Sequence, residues 1–206
     1  LQEKKANNIN LVTPTHFVPR IALALERAKE AGLRIPVVYN TGSYEKADTL
    51  KRMDGLVDIY LPDMKYVSPA LAQRYSHAPD YFETASLAVA EMVRQVGEPV
   101  FDGNTGLMKK GVIVRHLVLP GCTADSKKVI RYLYQTYGDR IFISIMNQYT
   151  PIGEFPEFPE LNRRVSRREY DRVVDFALEL GVENGFIQEG ETAEESFIPE
   201  FDGEGL

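Results

Sequence analysis

Cysteine is nearly absent from this 206-residue chain, which carries Cys122 alone. One thiol excludes an internal disulfide and a CxxC redox or zinc pair, and it fits a reducing, cytoplasmic setting. No apolar run approaches the roughly 18 residues that a membrane-crossing helix needs, and no basic-then-apolar leader opens the chain. Missing too are a Gly-rich phosphate loop closed by Lys-Ser/Thr, a G-x-S-x-G nucleophile elbow and a glycosidase-like pair of carboxylates. Basic excess is lacking as well: the net charge is -6, from 24 Lys and Arg against 30 Asp and Glu. Seven of those acids lie in residues 189–206, which hold no base; removing them leaves 23 acids against 24 bases. The body is therefore close to neutral, which argues against a nucleic-acid surface, and the acidic tail reads as a solvated, flexible end.

What the chain does have is 44% apolar residues, enough for one sizeable core and a single domain over residues 1–188. Strand-like apolar runs alternate with helical patterns. "INLVT" (9–13) leads into "FVPRIALALERAKEAG", with Pro19 suited to a first turn and Gly32 to a stop. "IPVVYN" (35–40) precedes a short helix, and "VDIYLP" (57–62) a helix opened by Ser68-Pro69. A longer helix starts near Asp80 and Glu83, which have capping-box spacing. "VFDGNTGLMKKG" reads as a hairpin turning at Gly103-Asn104. "VIVRHLVLPG" (112–121) is the strongest strand signal, followed by a helix over 125–137 and by "IFISIMNQ" (141–148). Ser166 and Glu169 cap a last helix, and "GFIQ" (185–188) closes the body. Strands apolar on both faces, spaced by helices, predict a parallel sheet covered on both sides, and six such units in series favour a barrel. The opening "LQEKKANN" reads as the last turns of a helix with Asn at its cap.

In parallel β/α folds, ligands gather where the strands end and the βα loops begin. Those ends read Thr13-Pro14-Thr15-His16, Asn40-Thr41-Gly42-Ser43, Asp63-Met64-Lys65, Asn147-Gln148 and Gln188, whereas the strand starts are Ile35-Pro36, Val57 and Ile141. Polarity is thus confined to one end. Asp63 and Lys65 share a face by the period of two, suited either to a structural ion pair or to gripping a zwitterion or cation. Arg115, inside an apolar strand, needs an anion: a ligand or an internal carboxylate. His16 and His116 stand open as general bases, metal ligands or plain hydrogen-bonded side chains. Cys122 follows a Pro-Gly turn without a partner, and Tyr132, Tyr134 and Tyr137 read as packing.

The stretches "NINLVTPTHFVPRI", "IPVVYNT", "VDIYLPDMKY", "GVIVRHLVLPG" and "NQYTP" resemble the radical S-adenosylmethionine proteins, within the branch related to pyruvate formate-lyase-activating enzyme. The likeness spans nearly all of residues 1–188. It implies an α/β fold, a partial (β/α)6 TIM-like barrel of parallel strands, that works with a four-iron, four-sulfur cluster (4Fe-4S) and S-adenosylmethionine. Together these generate a 5'-deoxyadenosyl radical for hydrogen abstraction, from a partner's glycine in the activating enzymes. It implies that Asp63 and Lys65 lie near the ligand's polar end or a monovalent cation, and Arg115 near the cofactor. Thr13, Thr15 and His16 stand where relatives carry a Gly-Gly-Glu stretch, and Asn40-Thr41 occupy the next strand end, with "NTGSY" inverting the expected "NTSGY". Asn147 and Gln148 complete the implied cofactor-binding set.

The family's Cys-x3-Cys-x2-Cys cluster motif is absent, and one cysteine cannot replace three thiolates. With the helix tail at Leu1, the resemblance implies a fragment lacking the first βα unit and inactive alone, with no metal ligand and no catalytic residue assigned in it. The implied partners are a glycyl radical enzyme as substrate and a reductant such as flavodoxin or ferredoxin, without nucleic acid or membrane. Two other readings stay open: a cluster-independent lyase or hydrolase using His16, Asp63, Lys65 and His116, and a non-catalytic module that binds a partner through the open barrel side.

Overall fold

A computed structural model describes residues 1–187; Gln188 and the acidic segment 189–206 lie outside the described residues. The strands are β1 (Ile9–Val12), β2 (Val37–Thr41), β3 (Ile59–Pro62), β4 (Val100–Phe101), β5 (Met108–Leu117), β6 (Phe142–Met146) and β7 (Gly185–Ile187). The helices are α1 (Val18–Glu30), α2 (Ala47–Leu50), α3 (Pro69–Ser76), α4 (Tyr81–Val96), α5 (Thr123–Tyr137) and α6 (Arg167–Leu180). The sheet runs β1-β2-β3-β5-β6-β7, all parallel, with β4 added antiparallel to β5 as the predicted hairpin.

That order decides the architecture. Each successive parallel strand is added on the same side of the last, and right-handed crossovers then place every connecting helix on one face. The burial pattern agrees. Val37, Tyr39, Tyr60, Val112, Val114, Ile143 and Ile145 point to the helices and are 2% exposed or less. Each contributes about 1.5–3 kcal/mol by leaving water. Their neighbours Asn40, Leu61, Ile113, Arg115, Phe142, Ser144 and Met146 are only half-buried and face a lumen. The expectation of a sheet covered on both sides is therefore corrected. The second face is the inside of a partial barrel, and its apolar residues line that inside rather than a second helix layer.

The lumen has an apolar floor. Phe142 packs edge-on against Phe101 of the hairpin (5.5 Å) and stacks with Phe186 of β7 (5.3 Å). Gly111 lets the hairpin sit there: its φ is +144°, and a Cβ would come 3.2 Å from the Pro99 backbone. β5 begins at Met108, four residues before the predicted start, because it is also the second arm of that hairpin.

Local signals held in part. Ser68 caps α3 and Ser166–Glu169 form a full capping box on α6. Asp80 does not cap α4; its carboxylate instead accepts the Tyr44 hydroxyl. The opening segment is a short 3-10 turn over Gln2–Lys4, ended by Lys5 in the left-handed region, rather than a helix tail ended by Asn. Tyr132 packs edge-on against Phe82, as expected of packing. Among the described residues, no helix is long and apolar enough to cross a membrane.

Glu169 ties three loops. Its carboxylate takes both terminal nitrogens of Arg163 (2.7 and 2.8 Å), the Gly121 N–H after β5 and the Ser166 N–H before α6. The Arg163 guanidinium beside it, aided by those N–H donors, holds the carboxyl well below the usual carboxylate range. Folding therefore favours the ionised form, so this stabilisation is present above the unfolded pKa of about 4.3 and is lost as pH falls below it. Glu169→Gln is expected to lower stability by about 1–2 kcal/mol at pH 7. The gap from wild type should narrow progressively in denaturant melts as pH falls from about 4.3 toward the depressed folded pKa. A gap that stays constant with pH would contradict this assignment.

Candidate functional site

The rim of the lumen is built at the C-terminal ends of β2, β3 and β5. Asp63 pairs in parallel register with Arg115, one step beyond the last ladder pair of β3, and Asn40 lies on the neighbouring strand. All three project into the lumen. The Arg115 guanidinium bonds Asp63 Oδ1 through Nε (2.9 Å) and a terminal nitrogen (2.7 Å), and the same terminal nitrogen donates to Asn40 Oδ1 (2.7 Å). One cation thus bridges three strands. Each side chain of the ion pair is about a quarter exposed, 26% for Arg115 and 25% for Asp63. Burial pushes the Asp63 carboxyl up, while Arg115 and then Lys65 pull against it.

Asp63 therefore pairs with Arg115, not with Lys65. Lys65 lies exposed beyond the strand and makes no ion pair among the described residues; its ammonium extends over Gly42, where a Cβ would stand 3.8 Å from Nζ. Asp63 Oδ2 likewise accepts no hydrogen bond among the described residues. The rim thus carries, two residues apart in sequence, one carboxylate oxygen and one ammonium with no partner among the described residues, groups of the signs that complement a zwitterion.

The segment that carries them is pinned residue by residue. Asp63 N–H donates to the Thr41 carbonyl and Met64 N–H to the Arg115 carbonyl, each at 2.9 Å. His116 Nδ1 lies 2.7 Å from the Met64 carbonyl, so that nitrogen carries the proton. Tyr81 accepts from Lys65 N–H (3.1 Å), and Asp125 accepts from Val67 and Ser68 N–H (3.0 Å each).

The remaining predicted residues divide. Thr41 is 3% exposed and turned to the helices, where its hydroxyl donates to the buried Glu45. Thr15 reaches the Tyr39 hydroxyl in that same cluster. Thr13 is exposed with φ 49°, a strained value for a β-branched residue. His16 is exposed in the 3-10 turn after β1, and Asn147 and Gln148 are half-exposed directly after β6. His116 is 2% exposed on the helix side of β5, opposite to Arg115. Burial pushes its pKa down and keeps it neutral. On the helix side it lies apart from Asp63, and the lyase or hydrolase reading loses one of its four named residues. Burial also pushes the Cys122 thiol up, leaving it a poor nucleophile. Among the described residues, no group of three His, Cys, Asp or Glu could hold a metal ion.

Sequence reasoning missed Tyr81, Asp125 and the Tyr39–Thr41–Glu45 cluster. Only Asp125 left a trace, as a helix-starting carboxylate that acts instead on the loop after β3.

No family model matches the chain. An uncharacterised protein of Methanocaldococcus jannaschii is 27% identical over 179 residues. That match covers 84% of this chain and 46% of the relative, so the chain spans about half the length of the curated relative it matches. A crystal structure of a domain of pyruvate-formate lyase-activating enzyme from Bacteroides vulgatus superposes with a TM-score of 0.62 at 12% identity. The match covers 88% of this chain and 97% of that domain. The chain therefore shares the α/β partial-barrel fold of that domain.

The ion pair predicts a coupled energetic signature. Asp63→Ala and Arg115→Ala should each destabilise by about 1–3 kcal/mol, because each leaves the other charge half-buried and unpaired. The double variant should be less destabilised than the sum, with a coupling of about 0.5–3 kcal/mol in a urea-melt cycle. Additive losses would contradict the pairing.

Proposed function

We propose that this chain is the S-adenosylmethionine-binding core of a radical S-adenosylmethionine enzyme of the pyruvate formate-lyase-activating type. The observation that carries the reading is that Asp63, held at the rim by Arg115 through Oδ1, keeps Oδ2 without a hydrogen bond among the described residues, while Lys65, two residues on, makes no ion pair among them. The amino-acid end of S-adenosylmethionine is a zwitterion: its ammonium suits Asp63 Oδ2 and its carboxylate suits Lys65. Arg115, fixed by Asp63 and Asn40, supplies positive potential just inside the rim. Thr13, His16, Asn147 and Gln148 at neighbouring strand ends supply further polar contacts. Thr15 and Thr41 act from behind, by shaping the first two loops. The likeness to the activating-enzyme domain and the sequence resemblance support this assignment.

The cofactor fits this chain, but the four-iron, four-sulfur cluster does not. Cys122 is the sequence's one cysteine, and no three-ligand group occurs among the described residues. In this reading the cluster ligands belong to the part of the full-length protein outside this sequence, in keeping with the match to less than half of its relative. Cofactor and cluster together supply a hydrogen-abstracting radical. What these residues do is bind the cofactor's polar end, orient it over the lumen and keep that end from exchanging freely with water. The open side of the barrel then admits the substrate, which we take to be a glycyl radical enzyme, with a flavodoxin- or ferredoxin-type reductant.

Anaerobic reconstitution of the full-length protein with iron and sulfide is expected to give S-adenosylmethionine cleavage on reduction. Asp63→Ala and Arg115→Ala should reduce that cleavage by about 10-fold or more, the worth of a charge-assisted hydrogen bond. Wild-type rates and affinities in both variants would contradict the site; a wild type that neither takes up a cluster nor cleaves would contradict the class.

A further inference from the structure

One buried hydroxyl sits between the two loops that form the rim. The Tyr81 oxygen, at the first residue of α4, lies 3.1 Å from Lys65 N, 2.9 Å from the Asp63 carbonyl and 3.0 Å from the Gly42 carbonyl. It accepts from the Lys65 N–H and donates its single proton to one carbonyl or the other. The residue is 2% exposed. Its ring is stacked under Tyr44 (centroids 6.0 Å apart) and met edge-on by Tyr66 (5.7 Å), so the hydroxyl cannot swing away.

The position matters because of where the ladder stops. Asp63 and Met64 still donate to neighbouring strands, but Lys65 N–H has no strand left to bond. Tyr81 supplies that missing acceptor and extends the ordered edge by one residue. The same oxygen holds Gly42, the residue over which the Lys65 side chain lies. It does so when its proton goes to the Gly42 carbonyl rather than to that of Asp63, and the Lys65 N–H then bonds the same atom.

We propose that Tyr81 is a positioning residue that aims the Lys65 ammonium at the carboxylate of a bound zwitterion by clamping the loops after β2 and β3 together. This rests on the reading of the rim as the S-adenosylmethionine site and adds the device that sets its geometry. Tyr81 touches no ligand in this account; it acts through Lys65.

Tyr81→Phe keeps the ring and its packing and removes only the oxygen. The test is a double-mutant cycle on S-adenosylmethionine affinity, read by calorimetry in the reconstituted but unreduced full-length protein. Tyr81→Phe should weaken binding by about 5-fold, the worth of one hydrogen bond. Lys65→Met should weaken it further, and adding Tyr81→Phe to Lys65→Met should change nothing more. Tyr44→Phe, which removes a hydroxyl bonded to Asp80 alone among the described residues, serves as the control and should leave affinity unchanged. In the same proteins, amide exchange by NMR should show Lys65 N–H losing protection in Tyr81→Phe while Met64 N–H keeps it. Equal affinity in wild type and Tyr81→Phe, or an equal loss in the Lys65→Met background, overturns the clamp while leaving the site reading in place. A wild type that does not bind S-adenosylmethionine overturns the site reading and the clamp with it.

Discussion

A guanidinium inside a barrel must find an anion, and the placement of Arg115 governs the upper half of this molecule. Left alone, the charge would be costly to remove from water. Asp63 and Asn40 meet it from the two preceding strands in the sheet, so one residue of β5 fixes the lumenal ends of β2 and β3. Both guanidinium contacts to Asp63 go to Oδ1, and the other carboxylate oxygen accepts no hydrogen bond among the described residues. The ion pair thus ties the rim together across three strands. Its net worth to stability is modest, since desolvation offsets much of the attraction; its effect is to specify which side chains lie inside.

The chain order makes that inside possible. Strands added always on the same side send every helix to one face, and the opposite face must curl around a lumen or stay open. Here the lumen is apolar at its floor, where Phe101, Phe142 and Phe186 meet, and polar at its lip. The lip rests on contacts from the outside layer. His116 reaches through to hold the Met64 carbonyl, Tyr81 the Lys65 amide and one of the Asp63 and Gly42 carbonyls, and Asp125 the Val67 and Ser68 amides. The long connection 147–166 after β6 is secured in the same manner. The Arg74 guanidinium lies 5.0 Å from the Phe158 ring and bonds Glu160, which also accepts the Tyr75 hydroxyl.

Much of this was legible in the residues. Alternation inside "VRHL" separates Arg115 from His116, and polarity confined to one set of strand ends marks the rim. The alternation could not say which face lay inside, because Ile113 and Leu117 make the lumenal side as apolar as the core side. For the same reason a sheet covered on both sides was expected where the inner face lines a lumen. The partner of Asp63 was also hidden. Lys65 is two residues away in sequence, but Arg115 is adjacent in the sheet, and only the strand order shows that. Tyr81 was invisible and Asp125 left only a trace, because each acts across a crossover, through backbone atoms that carry no residue-specific signature.

The central claim is that charges converge on one lumenal rim in order to hold a zwitterionic cofactor. A crystal structure of the full-length protein with S-adenosylmethionine tests it most directly. The account predicts the ligand's ammonium against Asp63 Oδ2 and its carboxylate against Lys65 Nζ, with the Arg115–Asp63–Asn40 bonds intact. A ligand seated away from this rim, with Asp63 and Lys65 untouched, would contradict it.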